Sequence, residues 1–190
     1  MRAELAAAGT GLADVIRQRR TNLRMDREAP VDPAIVLELC ELAVWAPNHH
    51  RTEPWRFAVF TGDGRSRLGD AVADAMEAAG RPPKKVAKTR TKYLRAPVMV
   101  VVGCAPGESD VESIENRDAV AAGIQNLLLG ATDRGLASFW SSVAMPSAQG
   151  LLDLCRFEPG TVAVAAVYLG HPIGDVATPP RSPAAVTWIE

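Results

Sequence analysis

The sequence predicts one mixed α/β or α+β domain, and three observations carry that prediction. Short strand-like runs (Trp55 to Thr61, Pro97 to Gly103, Ala137 to Ser141, Thr161 to Leu169) alternate with segments of helical period, the pattern of a sheet covered by helices. The run from Pro97 to Gly103 is apolar without alternation, as a strand buried on both faces must be. The segment Arg117 to Arg134 is apolar nearly all round, through Ala119, Val120, Ala121, Ala122, Ile124, Leu127, Leu128 and Leu129. A helix without a wet face needs cover, from its own domain or from another subunit.

The elements follow in order. Thr10 suits an N-cap for a helix through about Arg19, with Leu12, Val15 and Ile16 on one face. Asp32 before Pro33 is a stronger start, because proline in the first helical turn forfeits no hydrogen bond. Ile35, Leu39 and Leu42 then repeat at helical spacing until Pro47 disfavours the α conformation at Ala46. After the strand at Trp55, Gly62-Asp63-Gly64 turns into a helix from about Ser66 to Ala79. Gly135 closes the long apolar helix, and a brief helix from Ser147 to Leu154 precedes the last strand. Residues 1–9 are expected to be flexible. The tail from Pro172, with Pro179, Pro180 and Pro183, is expected to be irregular and ends in the strand-like Val186-Thr187-Trp188-Ile189. Such an arm suits draping over a surface.

At 190 residues the chain is long enough for one domain with a substantial core and short for two. Hydrophobic residues are 47% and charged residues 23%, as in ordinary globular proteins, and a net charge of −1 gives no reason to expect nucleic acid. The longest apolar runs are too short to span a bilayer, and the start lacks the apolar core of a secretory signal. A cytoplasmic protein away from membranes is expected. Cys40, Cys104 and Cys155 are widely spaced, without a CxxC pair, and read as small buried hydrophobes. His49, His50 and His171 have no zinc-site spacing. No metal is expected, so redox chemistry would need an organic cofactor. Gly9-x-Gly11 has no preceding strand, and Gly62-x-Gly64 has Arg67 in place of a third glycine, so neither supports a dinucleotide-binding unit. The GxxxxGK[ST], GxSxG and HExxH motifs are absent.

Two segments stand out. Arg19-Arg20-Thr21-Asn22-Leu23-Arg24 sets three guanidinium groups and a hydroxyl just past a helical stretch. Arg bonds phosphate in a bidentate manner where Lys acts as a point charge. The same cations would also complement a helix C-terminus, at about 0.3–1 kcal/mol each, and the segment alone leaves both readings open. The second segment, Trp45 to Phe57, breaks a helix at Pro47, presents polar side chains and enters a strand. Trp55 and Phe57 belong to the core of that strand. Asn48 and His49, in a loop held between two prolines, can address the oxygens and nitrogens of a flat heterocycle. A third stretch, Arg81 to Arg95, holds seven basic residues and no acidic ones. It reads as a solvated face, a nucleic-acid contact or a mobile cover over an anionic site. Trp140 reads as core or interface, and Arg181 is an isolated cation in a Pro-rich arm.

The first two segments resemble the flavin-binding signature of the nitroreductase family, whose members carry FMN at a homodimer interface. The resemblance runs from about Leu12 to the end and is greatest with the small members. It implies one FMN-binding domain over residues 1–190, with a central sheet flanked by helices, in an intertwined homodimer. The arm 172–190 would be exchanged between subunits, adding Val186 to Ile189 to the partner's sheet, and the helix Arg117 to Arg134 would lie at the interface. By position, Arg19, Arg20, Thr21 and Arg24 match the segment that binds the phosphate and ribityl chain. Trp45, Asn48 and His49 match the loop that meets the flavin of the same or neighbouring subunit. Trp140, Ser141 and Ser142 match the stretch that reaches the isoalloxazine ring from the partner, and Arg181 matches a further phosphate ligand. Gly130, Ala131, Thr132, Asp133, Arg134 and Gly135 match a loop assigned to the nicotinamide dinucleotide in some small members. Three positions depart from the pattern: Ser141 stands where close relatives have Arg, Glu53 replaces the Gln usual before Pro-Trp, and Arg51 occupies the place where larger members carry an Asn that bonds the ring.

The resemblance therefore implies an oxidoreductase that uses NADH or NADPH and bound FMN to reduce nitroaromatics, quinones or other electrophiles by ping-pong hydride transfer on the flavin. No protein acid, base or nucleophile is nominated. Two alternatives stand beside it: a flavin-binding or flavin-modifying protein without NAD(P)H reductase activity, and a non-catalytic dimeric module for another phosphorylated ligand.

Overall fold

A computed structural model describes residues 11–177 and 179–190; Thr10, expected as a helix cap, and the segment 1–9 lie outside them. The chain forms α1 (Leu12–Gln18), α2 (Pro33–Ala43), β1 (Trp55–Phe60), α3 (Gly64–Ala78), α4 (Pro83–Lys92), β2 (Val98–Cys104), α5 (Asp110–Asp133), β3 (Ala137–Ser141), α6 (Gln149–Cys155) and β4 (Val162–Gly170). The four strands form one antiparallel sheet in the order β1-β2-β4-β3. This is the expected α+β architecture.

β2 lies inside the sheet and is buried at every position, which explains its unbroken apolar run. Its pleat serves two cores. Val98, Val100 and Val102 face a cluster built with Leu39 and Ala43 of α2 and Val120, Ile124 and Leu127 of α5. Met99 and Val101 face the other cluster, with Leu68 and Val72 of α3, Tyr93, and Leu151 of α6. Each buried Val or Leu contributes about 1.5–3 kcal/mol of transfer free energy, so the two clusters fix the sheet between its helical layers.

α2 starts as expected, with the Asp32 side chain accepting from the Ala34 N–H at 2.8 Å. It packs on α5 so closely that a Cβ on Gly123 would stand 2.6 Å from the Ala43 carbonyl and 2.6 Å from Nε1 of Trp55. That indole N–H donates to the Ala119 carbonyl at 3.2 Å, joining the start of β1 to α5.

One expectation is corrected, the start of the long helix. The long helix starts at Asp110, not Arg117, because the Ser109 hydroxyl caps it by accepting from the Glu112 N–H at 3.2 Å. Its surface is also two-sided within the chain. Ala119, Val120, Gly123, Ile124, Leu127, Leu128 and Ala131 are buried, while Val111, Ile114 and Ala122 are open. The basic tract contains the helix α4, with Val86 and Thr89 buried against α3 and Lys84, Lys85 and Lys88 on the solvent side. Arg90 of α4 meets Asp70, Asp74 and Glu77 of α3 at 3.2, 2.7 and 3.2 Å.

Cys40, Cys104 and Cys155 are free and buried, as expected. After β4 the tail is irregular; Val186, Trp188 and Ile189 are exposed and belong to no strand of this chain. Among the described residues, no helix is long and apolar enough to cross a membrane.

Candidate active site

α1 ends at Arg19, whose backbone turns extended (φ −56°, ψ 127°). The chain then runs beside β3: Thr21 pairs with Ser138, and the Asn22 N–H donates to the Ser138 carbonyl at 3.0 Å. The tail after β4 lies alongside. Met25 pairs with Pro172, the Asp26 N–H donates to His171, and the Ile173 N–H donates to Arg24. Arg20 uses its guanidinium in this junction, donating to the carbonyls of Gln18 and Val176, both at 2.7 Å. Arg24 donates to the Asp175 carbonyl at 3.3 Å. Two of the three clustered arginines are thus held by backbone carbonyls and clasp the tail.

That clasp brings Arg19 and Arg181 together. They line one cavity of about 420 Å³ with Arg17, Ile16 and Pro179. Arg17 also meets Asp14 at 3.5 Å in an exposed pair. Among the described residues, the side chains of Arg19 and Arg181 have no hydrogen-bonding or acidic partner, the Arg19 backbone N–H alone donating to the Val15 carbonyl at 2.9 Å. The cavity therefore presents guanidinium donors aimed at no group of the protein, which matches a phosphate.

The second segment forms a strained loop. A short 3-10 turn at His49–Arg51 follows Asn48, and His50, Arg51 and Glu53 take φ values of 58°, 54° and 50°. Non-glycine residues in this region cost on the order of 1–3 kcal/mol each and persist only when their surroundings over-determine them. Here Asn48 Oδ1 accepts from the Glu53 N–H at 2.9 Å, and its amide donates to Thr52 Oγ1 at 3.0 Å. Thr52 in turn donates to Oδ1 of buried Asn116 on α5 at 2.5 Å. His49 Nδ1 lies 2.9 Å from Glu115 of α5, and its ring sits 3.8 Å from that of His50.

Trp45 is 83% exposed and overhangs an apolar groove of about 490 Å³ shared with Leu12, Leu42, Leu129 and Gly130. Trp140 is partly exposed on edge strand β3, with half-buried Ser141 and exposed Ser142 at its end, and the Ser141 hydroxyl donates to the Ser142 carbonyl at 3.2 Å. The segment Gly130 to Gly135, matched above to a loop, is helical through Asp133. Gly130 and Ala131 are buried, Arg134 pairs with Glu38 and Asp133, and Thr132 and Gly135 open on a polar cleft of about 280 Å³ shared with Arg20, Asn22 and Ser138.

The site residues therefore fall at two ends of α5. Arg20, Asn22 and Ser138 share a cleft with Thr132 near its C-terminus, whereas His49 and Thr52 are bonded to Glu115 and Asn116 near its N-terminus. At 1.5 Å per residue these ends lie about 25 Å apart. Arg17, Thr52, Glu115 and Asn116 were not among the residues expected from sequence. Glu115 and Asn116 lie in the first turns of α5, where acidic residues and no apolar stripe hide the helix.

Residues 16–171 match the Nitroreductase family. The chain belongs to that family. Membership supports an oxidoreductase, and three similar proteins carry nitroreductase names. The provisionally named NAD(P)H nitroreductase YfhC of Bacillus subtilis (strain 168) is 32% identical over 135 residues, 69% of each chain. A nitroreductase-like family protein from Bacillus cereus superposes with a TM-score of 0.75 at 27% identity, covering 92% of both chains. A nitroreductase with bound FMN from Bacteroides fragilis NCTC 9343 has the same fold, with a TM-score of 0.76 at 20% identity, covering 94% of this chain and 98% of the other.

Proposed function

We propose that this family member is an FMN-dependent oxidoreductase that draws on NADH or NADPH to reduce nitroaromatic, quinone or other electrophilic acceptors. The observation that carries the reading is the convergence of Arg19 and Arg181, from opposite ends of the chain, on one cavity where neither guanidinium has a partner among the described residues. That donor set fits a phosphate dianion, the charged end of FMN. When bound, FMN supplies the hydride chemistry.

The chain's own residues then bind and orient. Arg19 and Arg181 hold the phosphate. Arg20 and Arg24 act one step back, fixing the tail through the carbonyls of Val176 and Asp175. Thr21 lies beside β3, whose end carries Trp140, Ser141 and Ser142 toward the ring. Trp45, Asn48 and His49 address the ring from the strained loop, and Thr132 and Gly135 are the members of the 130–135 segment open to the nicotinamide dinucleotide. No side chain is assigned as acid, base or nucleophile.

The working unit is a homodimer in the cytoplasm, each chain a single FMN-binding domain, with the 172–190 arms exchanged. The separation of the two groups of site residues along α5 supports this, because a loop from a second copy can reach a ring whose phosphate the first copy holds. Val111 and Ile114 on α5 and Val186, Trp188 and Ile189 on the arm supply apolar surface for the contact.

The test is the visible spectrum of the purified protein after FMN is added and the excess removed. About one flavin per chain is expected, reduced on mixing with NADH or NADPH. The Arg19→Ala/Arg181→Ala double variant should lose the flavin and keep its melting temperature without it. A wild-type protein that never retains FMN overturns the reading, and a flavin that neither nucleotide reduces overturns the donor assignment.

A further inference from the structure

The hydrogen bonds that hold residues 48–53 do not end in the loop. They run from Asn48 to the Thr52 hydroxyl and from there to Asn116, which is 2% exposed on α5. The relay is the tertiary hydrogen-bond tie of Thr52, and it is flanked by the contact of His49 with Glu115. Three non-glycine residues of the loop sit in the left-handed region, so the loop has a strong tendency to relax if the tie is cut. Left to itself, it would move Asn48 and His49, two of the side chains assigned to the ring.

We infer that Thr52 and Asn116 are positioning residues: they hold the Asn48–Glu53 loop in its strained form so that Asn48 and His49 meet the flavin. This rests on the FMN reading above. Neither residue needs to touch the cofactor. The Thr52 hydroxyl is the joint, because it accepts from the Asn48 amide and donates to Oδ1 of the Asn116 side chain. Asn116 is the buried end of this chain, so cutting the Thr52 bond leaves its amide oxygen without a partner and away from water.

The test compares Thr52→Val, which keeps the shape and deletes the hydroxyl, with Thr52→Ser, which keeps the hydroxyl. Two quantities are measured: the FMN dissociation constant, by quenching of flavin fluorescence, and the trypsin cleavage rate after exposed Arg51 in FMN-free protein, normalised to the denatured chain. With Thr52→Val, both are expected to rise about tenfold, and with Thr52→Ser to stay within about twofold of wild type. Unchanged FMN affinity in Thr52→Val, or an equal loss in Thr52→Ser, overturns the positioning role. A wild-type protein that does not bind FMN overturns the flavin reading and this inference with it. In that case faster cleavage of Thr52→Val would still mark the hydroxyl as the loop's tie.

Discussion

The carbonyl oxygen of Arg90 occupies the place a Cβ on Gly69 would need, only 2.1 Å away from it. Helices α3 and α4 meet there backbone to backbone, with Val86 and Thr89 buried beside the contact. Gly69→Ala should force the helices apart and cost about 3 kcal/mol. The urea midpoint checks this, and an unchanged midpoint would mean that α4 is free to shift on α3.

Glu158 accepts from Arg56 through both carboxylate oxygens, at 2.7 and 3.0 Å. Those hydrogen bonds hold its carboxyl below the ordinary glutamate range. A depressed folded pKa gives stability that is present above the unfolded value, near about 4.3, and lost as pH falls through the folded one. Both side chains are partly exposed, so solvent screens the pair. Glu158→Gln should cost less than about 1 kcal/mol at pH 7, and the difference from wild type should shrink steadily below about pH 4. Urea titrations at pH 7, 4 and 3 measure it, and a difference that grows on acidification would reverse the assignment.

Burial pushes the Cys40 thiol up to about 11 and the Cys155 thiol up to about 12. Cys104 is also raised by burial, although Arg117 and Arg56 pull the other way. The thiolate is the reactive form, so Ellman's reagent at pH 8 should label the folded protein only at the rate of its opening. All three thiols should react promptly in guanidinium. Fast labelling of one thiol in the native protein would place that cysteine at an accessible surface.

The Ser109 hydroxyl is the side-chain cap of α5, the longest helix. Ser109→Ala should therefore lower stability by about 1 kcal/mol. Ser109→Asp, which keeps an acceptor and adds charge at the helix N-terminus, should restore it. Thermal unfolding of the three proteins decides, and equal melting temperatures would remove the cap from the stability of α5.

Local patterns made much of the fold legible. The Asp32-Pro33 pair marks the start of α2, and the Val-rich run before Gly103 marks the buried strand β2. The first turns of α5 and all of α4 were harder to read. Asp110 to Asn116 is acidic and polar around Val111 and Ile114, while α4 buries only Val86 and Thr89, too little for a periodic stripe. The site divides in the same way. Arginines near the N-terminus suggested a phosphate, but a composition of side chains cannot say that Arg20 and Arg24 are committed to tail carbonyls while Arg19 is left to meet Arg181. The contact of Thr52 with Asn116 spans 64 residues, beyond any pattern of helix or strand.

The clasp of the tail by Arg20 also bears on the order of events during synthesis. Its bond to Val176 joins residues 156 positions apart, and the cavity of Arg19 needs Arg181 as its other wall. Contacts of such long range close late, after local helices and hairpins have formed. A nascent chain on the ribosome can fold α1 to α5 and still have no anion cavity at all. The cavity therefore exists only once residues 176–181 have met the N-terminal segment, and cutting the chain before Val176 would remove one wall of it while leaving Arg19 untouched.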